Sequence, residues 1–161
     1  MKRSVGLMLL LVAACALDPA ESEGQLSSAL LEQGRMTIYA PGRAVPQQEL
    51  TVITPPGGLH PGDSFLGGTV LEGNLEIAVR IDYATDKITA GIFQVNRGKV
   101  RIFFPFTEHM TMLKGEITLT DESGQTHTFV EGESYLVKQG STIVWETKTP
   151  YMQKTFFNVV E

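Results

Sequence analysis

The sequence predicts an all-β domain, built as an antiparallel sandwich or closed barrel. Short runs rich in Val, Ile, Thr and Phe recur through the second half of the chain. Turn residues cluster between these runs. No stretch there keeps a long helical period. Closing such a sheet on itself also hides the strand edges that invite aggregation.

In chain order, residues 36–40 and 50–54 are strand candidates separated by Pro41-Gly42 and Pro46. Pro55-Pro56-Gly57-Gly58 and Pro61-Gly62 then break regular structure, which sets the domain boundary near Ser64. Residues 75–83 alternate Ile77, Val79 and Ile81, the period of a half-buried strand. Residues 88–95 and 99–104 read as two strands joined by a tight turn at Asn96-Arg97-Gly98. Further strands are expected at 108–113, 116–120, 126–130, 134–137, 141–146 and 153–160. Asp121-Glu122-Ser123-Gly124 has the composition of a hairpin turn. No internal repeat is visible.

The front of the chain has a different character. Lys2 and Arg3 precede an apolar-or-Gly run over residues 5–14. A helix needs about 20 apolar residues to cross a bilayer, so this run suits a secretory signal instead. Val12-Ala13-Ala14-Cys15 resembles a bacterial lipobox, which would make Cys15 the acylated N-terminus. Cys15 is the only cysteine, so no disulfide can form within the chain. Cleavage after Ala14-Cys15-Ala16 is the alternative and would leave a soluble periplasmic or secreted protein. Ala16 following the cysteine implies, by the lipoprotein resemblance, the outer membrane facing the periplasm. Contact with the membrane would then be through the lipid anchor alone. The expected division is a signal peptide at 1–14, a tether and extension at 15–64, and a β-barrel at 65–161. Within the extension, 18–28 is a polar tether and 27–33 a helical turn ended by Gly34.

Charge and motifs exclude several functions. The formal net charge is −5, and losing Lys2 and Arg3 makes it −7. No basic cluster follows Arg3, which argues against nucleic acid. The chain holds no phosphate loop, no Gly-x-Ser-x-Gly elbow and no His-Glu-x-x-His. With its one cysteine assigned to lipid, thiol catalysis is not expected.

A family resemblance rests on Thr107-Glu108-His109, Leu113-Lys114-Gly115-Glu116, Leu119 to Gly124, Val130-Glu131-Gly132-Glu133-Ser134, Gly140 and Trp145. On these, residues 75–160 resemble a cupin of the subgroup that includes ureidoglycine aminohydrolase and the ethanolamine-utilisation cupins. The resemblance implies a cupin-type antiparallel jelly-roll β-barrel and a homodimer. It also implies a metal held by two histidines, a glutamate and a third histidine. Glu108 matches the glutamate. Arg101 and Phe103 stand at the first two histidine positions, or Ile102 and Phe104 if the register shifts by one. Lys138 stands at the second motif's proline and Ile143 at its histidine. The expected cofactor is therefore none, with one divalent transition metal as the alternative.

Glu108 is the centre of the candidate site. A lone buried carboxylate is costly, so Arg101 or Lys154 is expected as its partner. The alternative role is a ligand anchor or a general base of raised pKa. Met110 and Met112 share its strand face; Ile143 and Trp145 share another. They line a small-molecule pocket or fill the barrel core. His109 points to the opposite face, and His60 and His127 have no partner at ligand spacing. The candidate pocket is Arg101, Glu108, Met110, Trp145 and Lys154. The expected function is an envelope-located small-molecule-binding or accessory cupin. An enzyme resembling ureidoglycine aminohydrolase, acting on a small nitrogenous metabolite, is the alternative.

Overall fold

Ten strands follow one another in the computed structural model, which describes Gly42 and residues 44–161. The expected signal segment, lipidation at Cys15, tether, helical turn at 27–33 and strand at 36–40 lie outside the described residues. The strands are β1 (Thr51–Val52), β2 (Ser64–Phe65), β3 (Gly68–Glu72), β4 (Ile77–Ala84) and β5 (Ile88–Phe103). Then come β6 (Thr107–Lys114), β7 (Glu116–Thr120), β8 (Thr126–Val130), β9 (Ser134–Val137) and β10 (Thr142–Val159). One 3-10 turn, Gln47–Glu49, is the only helical element among the described residues. No helix there is long and apolar enough to cross a membrane.

Two long strands organise the sheet. The first half of β5 pairs with β4 and the last half of β10; its second half pairs with β3 and the first half of β10. The last half of β10 also carries β6, on which β9 follows, while its first half carries β7 and then β8. Every pairing is antiparallel, and the two halves face each other across one apolar core. This is the all-β antiparallel architecture that the alternating runs predict, and the jelly roll that the family resemblance implies. The outer strands β1, β2, β8 and β9 are short, which limits edge-to-edge association.

Two sequence expectations are corrected. β5 runs unbroken through Asn96-Arg97-Gly98, so no tight turn lies there. These residues satisfy a neighbouring loop instead: Asn96 Oδ1 accepts from the Glu76 N–H, and its Nδ2 donates to the Asn74 carbonyl. Gly98 is required by packing, since a Cβ would meet Leu75 Cδ2 at 2.2 Å. Residues 141–146 and 153–160 are likewise one strand, β10, with a bulge between Thr147 and Tyr151 opposite Asn96 to Gly98. The bulge bends β10 so that one strand serves both halves.

A second apolar cluster lies outside the barrel. Val45 and Leu50 pack on Ala78, Ile92 and Leu113, and Val45 exchanges hydrogen bonds with the Gln153 carboxamide. The residues just before β1 thus cover part of the outer sheet face. Gly115, between β6 and β7, has φ +76° and comes so close to Tyr151 that a Cβ would lie 2.6 Å from its carbonyl oxygen. A left-handed turn at such a contact admits only glycine.

Candidate functional site in the barrel cavity

Alternation along β6 sets the site. Glu108, Met110 and Met112 face inward and are buried, while His109 is exposed on the outer face beside Phe157 and Leu136. A period of two cannot bring adjacent side chains to one ion. β10 lies next to β6 and delivers two polar side chains to the same interior. Asn158 is directly opposite Glu108 in the register. Lys154, one face-repeat pair earlier, reaches Glu108 with its ammonium.

Lys154 Nζ donates to Glu108 Oε1 at 3.2 Å. It also contacts Met110 Sδ at 3.1 Å and lies 5.0 Å from the centre of the Phe93 ring. Both charged residues are buried, Glu108 at 5% and Lys154 at 6% exposure. Burial pushes the Glu108 carboxyl up and the Lys154 amine down; their mutual attraction opposes both shifts without cancelling them. Burial, reinforced by the Glu108 charge, also holds the Tyr135 phenol well above its ordinary range.

A cavity of about 40 Å³ opens beside this pair. Phe65, Phe93, Phe104, Phe106, Trp145 and Phe156 form its aromatic walls, with the half-buried Ile53 and Leu66 near the rim. Trp145 meets Phe93 edge to face, and Phe106 meets Phe104 in the same way, so each wall is fixed by a neighbour. Asn158 lines the cavity at 6% exposure, and its Oδ1 has no hydrogen-bond partner among the described residues.

Of the residues singled out from sequence, Glu108, Lys154 and Trp145 meet at this cavity. Met110 stands behind the ammonium, in the core. Arg101 does not join them. It is exposed on the opposite side of β5 from Val100 and Ile102, and Lys154 is the partner of Glu108. The inward positions upstream of Glu108 are Ile102 and Phe104, whereas Arg101 and Phe103 point outward. Ile143 and Lys138 line a separate groove with His127, Phe129 and Tyr135. Asn158 was missed by sequence reasoning. Its only signal was an amide inside the apolar run Phe156-Phe157-Asn158-Val159; its position against Glu108 depends on the β6–β10 register.

The metal implied by the resemblance does not fit these residues. Around Glu108 stand an ammonium, a thioether, a carboxamide and hydrocarbon rings. No three His, Cys, Asp or Glu residues among those described come together as ligands. A first-row divalent ion wants imidazoles or several carboxylates, and a neighbouring ammonium opposes it.

One family profile agrees with the architecture. The EutQ-like cupin domain profile matches residues 83–156. Among solved structures, the Clostridium difficile EutQ protein is 11% identical, with 53% of this chain and 69% of that one covered and a TM-score of 0.48. A putative ethanolamine utilization protein Q from Salmonella typhimurium is 18% identical, with 69% and 94% covered and a TM-score of 0.47. An RmlC-like cupin family protein from Methanocaldococcus jannaschii is 19% identical, with 51% and 78% covered and a TM-score of 0.45. No curated protein matches. The matched stretch runs from within β4 into β10 and contains the strand bearing Glu108; over that stretch the chain is similar to the EutQ-like cupins.

Proposed function

We propose that this cupin domain is a small-molecule-binding module of the cell envelope that works without a transition metal. The carrying observation is Asn158 Oδ1, a buried acceptor with no donor among the described residues, beside an internally neutralised Glu108–Lys154 pair in an aromatic-walled cavity. Buried polar atoms are nearly always satisfied, so this acceptor calls for a donor in the cavity, a water that a ligand displaces or the ligand itself. Ligand-observed NMR against a library of small water-soluble compounds tests this. Binders are expected whose signals vanish in Phe104→Trp, which fills the cavity. A library in which no signal depends on Phe104→Trp would overturn the reading.

Envelope location rests on Cys15 behind the apolar run at residues 5–14. Mass spectrometry of the mature protein should find acyl chains on Cys15. A free Ala16 or Leu17 start would replace the anchor with ordinary cleavage.

One observation favours an enzyme as a second reading. Burial moves the Glu108 and Lys154 pKa values toward each other, so a proton can pass between the pair and a bound molecule. An aminohydrolase acting on a small nitrogenous metabolite would use Glu108 as its base. Turnover of ureidoglycine that is lost in Glu108→Gln would support this, and no turnover by the intact protein would reject it.

A further inference from the structure

The cavity carries more chemistry than its size suggests. Two acceptors stand side by side on the β6–β10 pair, the Asn158 carboxamide oxygen and the Glu108 carboxylate. Opposed residues in an antiparallel pair lie about 5 Å apart at Cβ, so one small group can reach both. Asn158 Oδ1 is without a donor. A carboxylate has about four acceptor sites, and the Lys154 ammonium is the one side-chain donor recorded for Glu108.

The cation is not offered in the same way. An ammonium has three donors, and Lys154 Nζ is directed at Glu108 Oε1, Met110 Sδ and the Phe93 face. The pair's charges cancel internally. A charged ligand would therefore lose its hydration without gaining a free counter-charge. The phenylalanine walls add only apolar contact, and Trp145 adds one neutral indole N–H.

We infer that the cavity selects a neutral head group of a few heavy atoms that donates hydrogen bonds, an N–H or O–H bridging Asn158 Oδ1 and the Glu108 carboxylate. This rests on the cavity being a binding site and specifies the chemistry of what enters it. Anions are rejected because Lys154 is already engaged. Cations are rejected because its ammonium stands next to the carboxylate they would seek.

Four small probes separate the possibilities: acetamide, acetone (the same number of heavy atoms but no donor), acetate and methylammonium. Binding is read by NMR titration of the full chain, with xenon as an apolar probe of the cavity itself. Acetamide should bind about tenfold more tightly than each of the other three, the size of one net hydrogen bond to a buried group. Asn158→Leu should abolish that preference while xenon still binds. A preference for acetate or methylammonium would overturn the inference, as would equal binding of acetamide and acetone. Xenon binding with no response to any of the four leaves the cavity intact and removes the donor assignment. Exclusion of xenon from the wild-type chain would remove both the assignment and the binding reading beneath it.

Discussion

The Lys154 ammonium and the Glu108 carboxylate face each other at 3.2 Å inside the barrel, both nearly out of reach of water. A buried pair of this kind returns little net stability, because desolving two charges offsets their attraction. Removing one partner is a different matter. Glu108→Gln or Lys154→Met alone should cost about 3–5 kcal/mol by urea unfolding, since each leaves an uncompensated buried charge. The double variant should unfold within about 1 kcal/mol of the wild type, or above it. Single variants as stable as the wild type would mean that water reaches the pair.

The same pair sets a pH dependence. The folded Glu108 pKa is raised from 4.5, so its contribution is fully present below pH 4.5 and fades as pH rises through the folded value. Lys154 is lowered from 10.5, so its contribution is present above pH 10.5 and fades as pH falls through its folded value. Both losses meet in the middle of the range. Measured against pH, Glu108→Gln/Lys154→Met should therefore gain stability relative to the wild type near neutrality and lose that advantage at both ends. A difference that is flat in pH would contradict the raised and lowered values.

Glycines with positive φ should not be equivalent. Gly115 has no room for a Cβ against the Tyr151 carbonyl, whereas Gly124 at φ +85° has open space around it. Gly124→Ala should cost about 1–2 kcal/mol, the cost of the left-handed backbone alone. Gly115→Ala should cost more, because the β6–β7 turn must also move away from β10. Equal midpoints in denaturant would show that the turn relaxes freely.

The inward faces of Ile102 and Phe104 allow a gain-of-function test. Both line the cavity that Glu108 lines. Ile102→His/Phe104→His/Lys154→Met supplies two imidazoles beside a released carboxylate, and should bind a stoichiometric divalent transition metal measured by elemental analysis. The same histidines with Lys154 retained should bind less metal, because the ammonium competes for Glu108.

The parts of the fold and site that were legible in the sequence share a cause. Alternation is local, so β4, β6 and the β7–β8 hairpin could be read with the correct inward residues, Glu108 and Met110 among them. That Glu108 needs a cationic partner followed from the cost of a lone buried charge, but the choice of Lys154 over Arg101 did not. What failed depended on distant pairing. Asn96-Arg97-Gly98 has turn composition, but Asn96 is used by the loop at 74–76 and Gly98 by Leu75. Arg101 was considered because it is cationic and nearby in sequence, while strand parity turns it outward. Asn158 acquires meaning only through its register against β6.

β10 has a kinetic consequence. It is the last strand described, and it joins both halves of the barrel: Val144 to Glu146 pair with β7, and Gln153, Lys154 and Phe157 to Val159 with β6. Its partners on β5 are more than 30 positions earlier in the chain, from Phe103 opposite Thr142 to Ile88 opposite Val159. Nothing upstream can complete the roll until this segment arrives. Assembly dominated by such remote pairings belongs to the slow regime, on the order of milliseconds to seconds. A nascent chain stays open until β10 has emerged, and truncation after Trp145 would abolish closure rather than shorten the barrel.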